Sequence, residues 1–338
     1  MKYKKEEVWF PLSEDLLSWD YDFHELMLLD KIRMVAYEKA IKEVVKPGMT
    51  VVDIGTGTGI LSKWAIDAGA KKVYGIEVNK DRIPLALKRM RNAGYSDKFQ
   101  IFFGLSYNIK LPERVDVILS EILGSLSDNE DMTPILNDAR KRFLKRGGKM
   151  LPKSVKTYLV PISSKLTHDQ VKNKRCKGVN KKYNLQDLLL KLEIKNQFNI
   201  YYDAIIPKET YLSSPKILRQ FNFIGKDCAV YNAKSQYKIT RGGLFTGFKG
   251  FFVAQLSDKV ILDISSDDIA HRKTSDCWKH CYVPIENPFP VKVGDSITLH
   301  YSRYYPQKRN SPFRQCYSWH GEVKRNKKVI YRFNQKTC

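Results

Sequence analysis

The stretch V-V-D-I-G-T-G-T-G-I-L, residues 51–61, decides how the first half of this chain folds. Val51 to Ile54 is an apolar run of strand length, Gly55, Gly57 and Gly59 mark a turn, and Ile60 to Ala68 has helical spacing. Glycine lets a backbone turn sharply and approach a ligand closely, so strand, glycine turn and helix in this order suit a nucleotide-like ligand. A second apolar run, Val73 to Ile76, ends in Glu77. That is about 20 residues past the turn, where nucleotide-binding α/β sheets place an acid on ribose hydroxyls. The spacing G-x-G-x-G departs from the dinucleotide fingerprint G-x-G-x-x-G, and no Lys-Ser or Lys-Thr follows to cradle a triphosphate.

A third apolar run, Val115 to Ser120, leads directly into E-I-L-G-S-L-S-D-N-E, residues 121–130. By spacing alone, Glu121 and Glu130 are ordinary solvated loop charges. Their place after a strand, downstream of the glycine turn, makes them candidates to converge on one cation. A guanidinium is the natural guest, because its planar fork of donors matches carboxylate oxygens bidentately.

Around these motifs, residues 32–46 read as a helix, and strand and helix patterns then alternate to about Phe143, the pattern of a doubly wound α/β sheet. The texture changes near Pro152. The glycine-rich R-G-G-K-M-L-P, residues 146–152, turns into short β-rich runs: Thr157 to Ile162, Phe251 to Gln255, Val260 to Ile264, Ile297 to Tyr305 and Val329 to Phe333. An antiparallel barrel or sandwich fits them. The expected organisation is an N-terminal segment 1–30, an α/β unit 31–151, and a β unit 152–338 with a helical insertion near 183–210.

Residues 51–61, Glu77 and the two-glutamate loop resemble the protein arginine methyltransferase family, with order preserved over roughly residues 19–163 and again from Asp276 to Ile297. The resemblance implies a class I, Rossmann-like methyltransferase domain followed by a β-barrel domain, and transfer of a methyl group from S-adenosylmethionine to arginine in a protein or peptide. Glu121 and Glu130 would be the catalytic guanidinium clamp. The segment D-F-H-E-L-M-L-L-D-K-I-R, residues 22–33, is similar to the family's cofactor-covering helix. By the same resemblance His24, Arg33, Asp53, Gly55, Gly57, Glu77 and Tyr107 would bind the cofactor, Arg33 through its methionine carboxylate. Met27, Met132, Asp276 and Trp278 would line the substrate pocket, with D-C-W-K-H, residues 276–280, standing for the family's Thr-His-Trp loop. Two departures stand out: Cys277 replaces the loop histidine, and Tyr107 replaces the acid that meets adenine. Head-to-tail homodimers are also implied.

Composition limits these expectations. The formal net charge is +23 over 338 residues. Residues 1–150 carry 25 Lys+Arg against 22 Asp+Glu, and residues 151–338 carry 34 against 14. A basic exterior slows encounter with a basic tail and favours an acidic partner or nucleic acid. Tyr301, Tyr304, Tyr305, Phe313, Tyr317 and Trp319 interleave with basic runs as stacking residues do, or else pack in a β core. Two other functions therefore stand beside the first: methylation of free arginine or another small guanidine, and a catalytically silent regulatory or nucleic-acid-binding member. Six scattered cysteines point to reduced thiols in a cytoplasmic chain (or a nuclear one), with no metal site. No apolar stretch is long enough to span a membrane, and no secretory signal is visible.

Overall fold

A computed structural model describes residues 5–10, 27–177, 185–268, 275, 277–307 and 311–338. His24 and Asp276 lie outside these described residues. In chain order the first half comprises β1 (Val8–Trp9), α1 (Lys31–Val44), β2 (Thr50–Ile54), α2 (Ile60–Asp67), β3 (Lys72–Glu77), α3 (Ile83–Asn92), β4 (Phe99–Phe103), β5 (Val115–Ser120), α4 (Met132–Phe143) and β6 (Leu144–Leu151).

Strands β2 to β6 form a five-stranded sheet in the order β4-β3-β2-β5-β6, with parallel pairings throughout. All of β2 is buried, as a central strand covered on both faces must be. That explains its unbroken T-V-V-D-I run. From β2 the chain winds outward through β3 and β4, then returns to lay β5 on the other side of β2. The crevice beyond the carboxyl ends of β2 and β5 is therefore a topological switch point, where open α/β sheets bind their ligands.

The second half comprises β7 (Ser154–Ile162), α5 (Lys165–Lys172), α6 (Leu185–Lys191), β8 (Tyr202–Ala204), β9 (Lys216–Phe221), β10 (Tyr231–Lys238), β11 (Gly243–Gln255), β12 (Ile261–Asp263), β13 (His280–Val291), β14 (Ser296–Tyr304), β15 (Cys316–Arg325) and β16 (Lys328–Lys336). Of the expected barrel or sandwich, the described strands follow the sandwich, with no closed barrel among them. The strands form two antiparallel sheets, one in the order β1-β8-β13-β11-β7-β9 with β12 on β11, the other β10-β14-β15-β16. Aromatic side chains join them. The Phe245 and Phe248 rings of β11 lie 5.7 and 5.9 Å from Phe333 of β16, and Trp319 Nε1 donates to Pro284 O at 2.6 Å. The two faces pack as a sandwich.

Two local results differ from expectation. Val8, Trp9 and Phe10 are buried, and β1 pairs with β8 inside the C-terminal sheet. The helical insertion likewise ends in β8, which is integral to that sheet. Cys316 and Cys338 are joined, with Cα atoms 5.8 Å apart, whereas six free thiols are expected from their scatter. The β15–β16 ladder brings them together, since Thr337 N donates to Tyr317 O at 2.8 Å. Spacing in the chain carries no trace of that register.

The sandwich also grips the loop that follows β5. Asp128 Oδ2 accepts from Tyr231 Oη at 2.6 Å, and Gln315 Nε2 donates to Asn129 O at 2.9 Å. Arg303, 1% exposed, donates from Nη2 to Asp131 at 2.6 Å and sits 3.8 Å from Asp128 through Nε. A buried carboxylate stripped of its cation is strongly destabilising. Arg303→Met should therefore cost about 3–5 kcal/mol by urea unfolding, and Arg303→Met with Asp128→Asn should recover part of it. A loss below about 1 kcal/mol in the single variant would show that this cation does not hold the loop.

Candidate functional site

The glycine turn, the first acid and the two loop glutamates meet in one cavity. It holds about 500 Å³ and is lined by Gly55, Gly57, Glu77, Glu121 and Glu130, with Met27, Arg33 and Trp278 closing it. Gly55 and Gly57 have φ of +76° and +54°, a region L side chains rarely adopt. A Cβ on Gly55 would also come 3.2 Å from Ile122. Glu77 ends β3 and accepts from Gly57 N and Asn79 N, both at 2.7 Å, so it braces the turn it faces.

Asp53 is buried beneath the turn. It accepts from Ser62 Oγ at 2.6 Å and does not line the cavity. Burial pushes its carboxyl up to about 7. Its part is to tie β2 to α2. Tyr107 sits on the short helical turn Ser106–Asn108, 45% exposed and outside the lining; Leu105 reaches the cavity instead. Met132 is buried at the start of α4 and is not a lining residue either. Proximity in sequence to the second glutamate does not carry it into the pocket, because Asp131 turns the chain through φ +56° in between.

Arg33 is held from three sides. Asp30 caps α1 by accepting from Arg33 N at 3.0 Å. Arg33 Nη1 donates to Met27 O at 3.0 Å, and Nη2 pairs with Glu121 Oε2. Its Nε is buried with no hydrogen-bond partner among the described residues, so a donor remains for an acceptor in the cavity. Cys277, where a histidine side chain is expected to meet Asp30, reaches it through the backbone: Cys277 N donates to Asp30 Oδ2 at 3.1 Å, joined by Ser275 Oγ. Trp278 Nε1 donates to Leu123 O, which fastens this segment to the glutamate loop.

The loop itself requires Gly124, where a Cβ would fall 2.0 Å from Asn129 Oδ1. Two lining residues were not legible in the sequence. Asp203, on β8, accepts from Ser125 Oγ at 2.8 Å, and Arg314 comes from the turn before β15. Only the folded sheets bring them here.

The lining thus carries four carboxylates, Glu77, Glu121, Glu130 and Asp203, against two guanidinium groups, Arg33 and Arg314. Burial, followed by repulsion from Glu121, pushes Glu130 up to about 8. Burial also raises Glu121, opposed by Arg33. A partly enclosed site with surplus negative charge, one member of which stays protonated near neutrality, is built to receive cations.

No group of three or more potential metal ligands occurs among the described residues. His280 is occupied by Ile206 N and Ser266 O, both at 3.0 Å. No helix among the described residues is long and apolar enough to cross a membrane. The aromatic residues that interleave with the basic runs are mostly core: Tyr301, Phe313, Tyr317 and Trp319 are all buried, so they form no stacking surface.

Residues 154–328 match the family described as the PRMT5 oligomerisation domain, and residues 37–151 match that of ribosomal protein L11 methyltransferase (PrmA). Protein arginine N-methyltransferase 5 of Xenopus laevis is 26% identical over 87% of this chain and 46% of its own length. PRMT10 of Oryza sativa subsp. japonica is 35% identical over 46% of the chain and 42% of its own length. The chain thus spans less than half of each of these two relatives. PRMT10 of Arabidopsis thaliana is 35% identical over 83% of this chain and 80% of its own. Among solved structures, Arabidopsis thaliana protein arginine methyltransferase 10 superposes with a TM-score of 0.79 at 23% identity, covering 96% of this chain and 100% of that one. The Trypanosoma brucei PRMT1 enzyme-prozyme heterotetrameric complex with AdoHcy gives 0.78 at 20% identity, covering 95% and 99%. A parallel sheet with a glycine-turn pocket at its switch point, an antiparallel sandwich gripping the two-glutamate loop, and these likenesses agree: the chain belongs to the protein arginine N-methyltransferase family.

Proposed function

We propose that this protein transfers a methyl group from S-adenosylmethionine to a guanidinium nitrogen of arginine in a protein or peptide, with Glu121 and Glu130 gripping the guanidinium. The observation that carries this reading is the charge of the cavity, four carboxylates against two guanidinium groups. A guanidinium adds one positive charge, and a sulfonium amino acid, with its ammonium and carboxylate, adds one more. With Glu130 ionised in the complex, together they cancel the surplus of two.

The residues present fit that cofactor. Gly55 and Gly57 leave room for close approach, Glu77 offers oxygens at the ribose end, and the orphaned Arg33 Nε suits a carboxylate. When bound, S-adenosylmethionine supplies an electrophilic methyl group on a sulfonium. Arg33 fixes Glu121, and Glu121 orients the guanidinium through its second oxygen. Glu130, held by the Asn129 and Asp131 contacts to the sandwich, takes the other edge. Localising positive charge on the other terminal nitrogen and excluding water leaves the reacting nitrogen's lone pair available for attack. As the N–C bond forms, the nitrogen gives up one proton, and Glu130, raised to about 8, is matched to hold it.

The match of residues 154–328 to an oligomerisation domain supports self-association as part of this reading. The buried aromatics of the sandwich remove the support for a base-stacking nucleic-acid surface at β14–β15.

Glu121→Gln and Glu130→Gln keep shape but remove charge. Each should lower kcat for methylation of an arginine peptide by about 10²-fold or more, while the affinity for S-adenosylhomocysteine, read by calorimetry, changes little for Glu130→Gln. Turnover that survives both substitutions would end the clamp assignment.

A cationic guest needs Glu130 ionised. Its raised value therefore predicts that kcat/KM climbs with pH, with a midpoint near 8 in the free enzyme. The sign for stability is opposite: a carboxyl raised on folding favours the folded chain at low pH, and that contribution is lost as pH rises through about 8. Glu130→Gln should flatten this limb of the rate profile. A wild-type profile flat from pH 6.5 to 9 (a range spanning roughly one and a half pKa units below the expected midpoint) would contradict it.

A further inference from the structure

A second, larger cavity lies at the other end of the parallel sheet. It holds about 1030 Å³ and is lined by seven Lys or Arg side chains and two carboxylates, Glu43 and Asp258. The glycine turn, Glu77 and Glu121 lie at the carboxyl ends of β2, β3 and β5, whereas Arg114 precedes β5 and Lys145 and Arg146 lie near the start of β6. The two cavities therefore open at opposite sheet ends. This basic cluster belongs largely to the half of the chain whose overall charge is nearly balanced, so it is a local concentration and not a share of the general excess.

The two carboxylates do not neutralise the cluster as a whole. Glu43 accepts from Ser257 Oγ at 2.8 Å and Lys259 N at 3.2 Å. Asp258 is taken by Lys153, and Lys145 is paired with Asp116 at 2.9 Å. Arg140, Lys141, Arg146 and Lys149 have no ion-pair partner among the described residues. Arg140 and Lys141 complete the last turn of α4, where cations complement the helix dipole. That accounts for two of the four. Arg146 and Lys149 are on an edge strand and have no such role.

The edge strand is irregular where they sit. Val115 and Val117 of β5 face Leu144 and Lys149 of β6, so Lys145, Arg146, Gly147 and Gly148 stand outside the ladder. Gly147 has φ +77° and open space where a Cβ would be. A glycine-containing bulge outside a ladder, flanked by cations, suits an anion. Arg114 also lines the cavity, its Nη1 donating to Leu144 O at 2.8 Å and Lys141 O at 3.1 Å. The aromatic side chain in the lining, Phe223, is buried and unavailable for stacking on a base.

We infer that this cavity is a binding site for a compact ligand carrying several adjacent phosphates, held by Arg114, Arg146, Lys149 and the bulged K-R-G-G backbone of β6. Recognition runs through phosphate oxygens and charge, since the lining is dominated by cations and its aromatic ring is buried. A free polyphosphate and the phosphate chain of a nucleotide share this chemistry.

Calorimetry with tripolyphosphate, ATP, inorganic phosphate and a short single-stranded RNA tests it on the full chain. Saturable binding of tripolyphosphate or ATP is expected, weakening with salt, and the tighter of the two names the source. Arg146→Gln with Lys149→Gln should weaken it about tenfold or more. Lys328→Gln with Lys336→Gln, which removes equal charge from exposed positions on β16, should change it by less than about twofold. Saturating S-adenosylhomocysteine should leave the affinity unaltered. The inference is overturned by absence of saturable binding, by equal weakening in the β16 variant, or by competition with S-adenosylhomocysteine. It is also overturned if inorganic phosphate or the RNA binds as tightly as the phosphate chains.

Discussion

Surplus negative charge inside a partly enclosed cavity is the constraint on which this molecule turns. Carboxylates removed from water must be paired, hydrogen-bonded or protonated. Glu121 is paired with Arg33, Glu77 is bonded to two backbone amides, Asp203 is held by Ser125, and Glu130 is left raised to about 8. The fold is arranged around keeping that imbalance in place. α1 delivers Arg33, the β5 loop delivers both glutamates, and the sandwich locks the loop through Asp128, Asn129 and Asp131. A cation entering the cavity relieves the imbalance, and this links architecture to binding.

The two halves of the chain divide the work. The parallel sheet supplies a crevice whose glycines admit a ligand's backbone-close approach. The antiparallel sheets supply the walls and the clamps. Asp203 and Arg314 show how closely the halves cooperate, since neither belongs to the half that carries the motifs. At the opposite sheet end the same edge strand, β6, turns a local irregularity into a concentration of unpaired cations. One sheet thus presents an acidic cavity at one end and a basic cavity at the other.

Much of the parallel sheet was legible because its strands are short, apolar and buried on both faces, and because glycines and acids fall at their ends. β2, β3 and β5 lie within a residue of where their apolar runs place them. The antiparallel half was harder. β13 contains Pro284, Pro288 and Pro290, residues that argue against an interior strand. They are tolerated because β8 pairs only with His280 to Tyr282, which leaves β13 an edge beyond that point. β10 and β15 are interrupted by polar and charged residues and lack continuous apolar runs, so composition hid them. The cysteine pair 316 and 338 followed from ladder register, which spacing does not encode.

The amino-acid sequence by itself determined the family, the strand–glycine turn–helix, Glu77 and the candidate pair Glu121 and Glu130. These rest on local rules: glycine at positive φ, apolar runs of strand length, and acids at strand ends. Only the tertiary structure decided that the two glutamates face one cavity with Arg33, that Asp203 and Arg314 join them, and that Asp53, Tyr107 and Met132 stay outside its lining. It also decided that the β half is an open pair of sheets, and that Tyr301, Phe313, Tyr317 and Trp319 are core and not a stacking surface. The physical reason is common to all of these. Burial, charge balance and pocket membership depend on which distant segments pack together, and no local pattern along the chain records that.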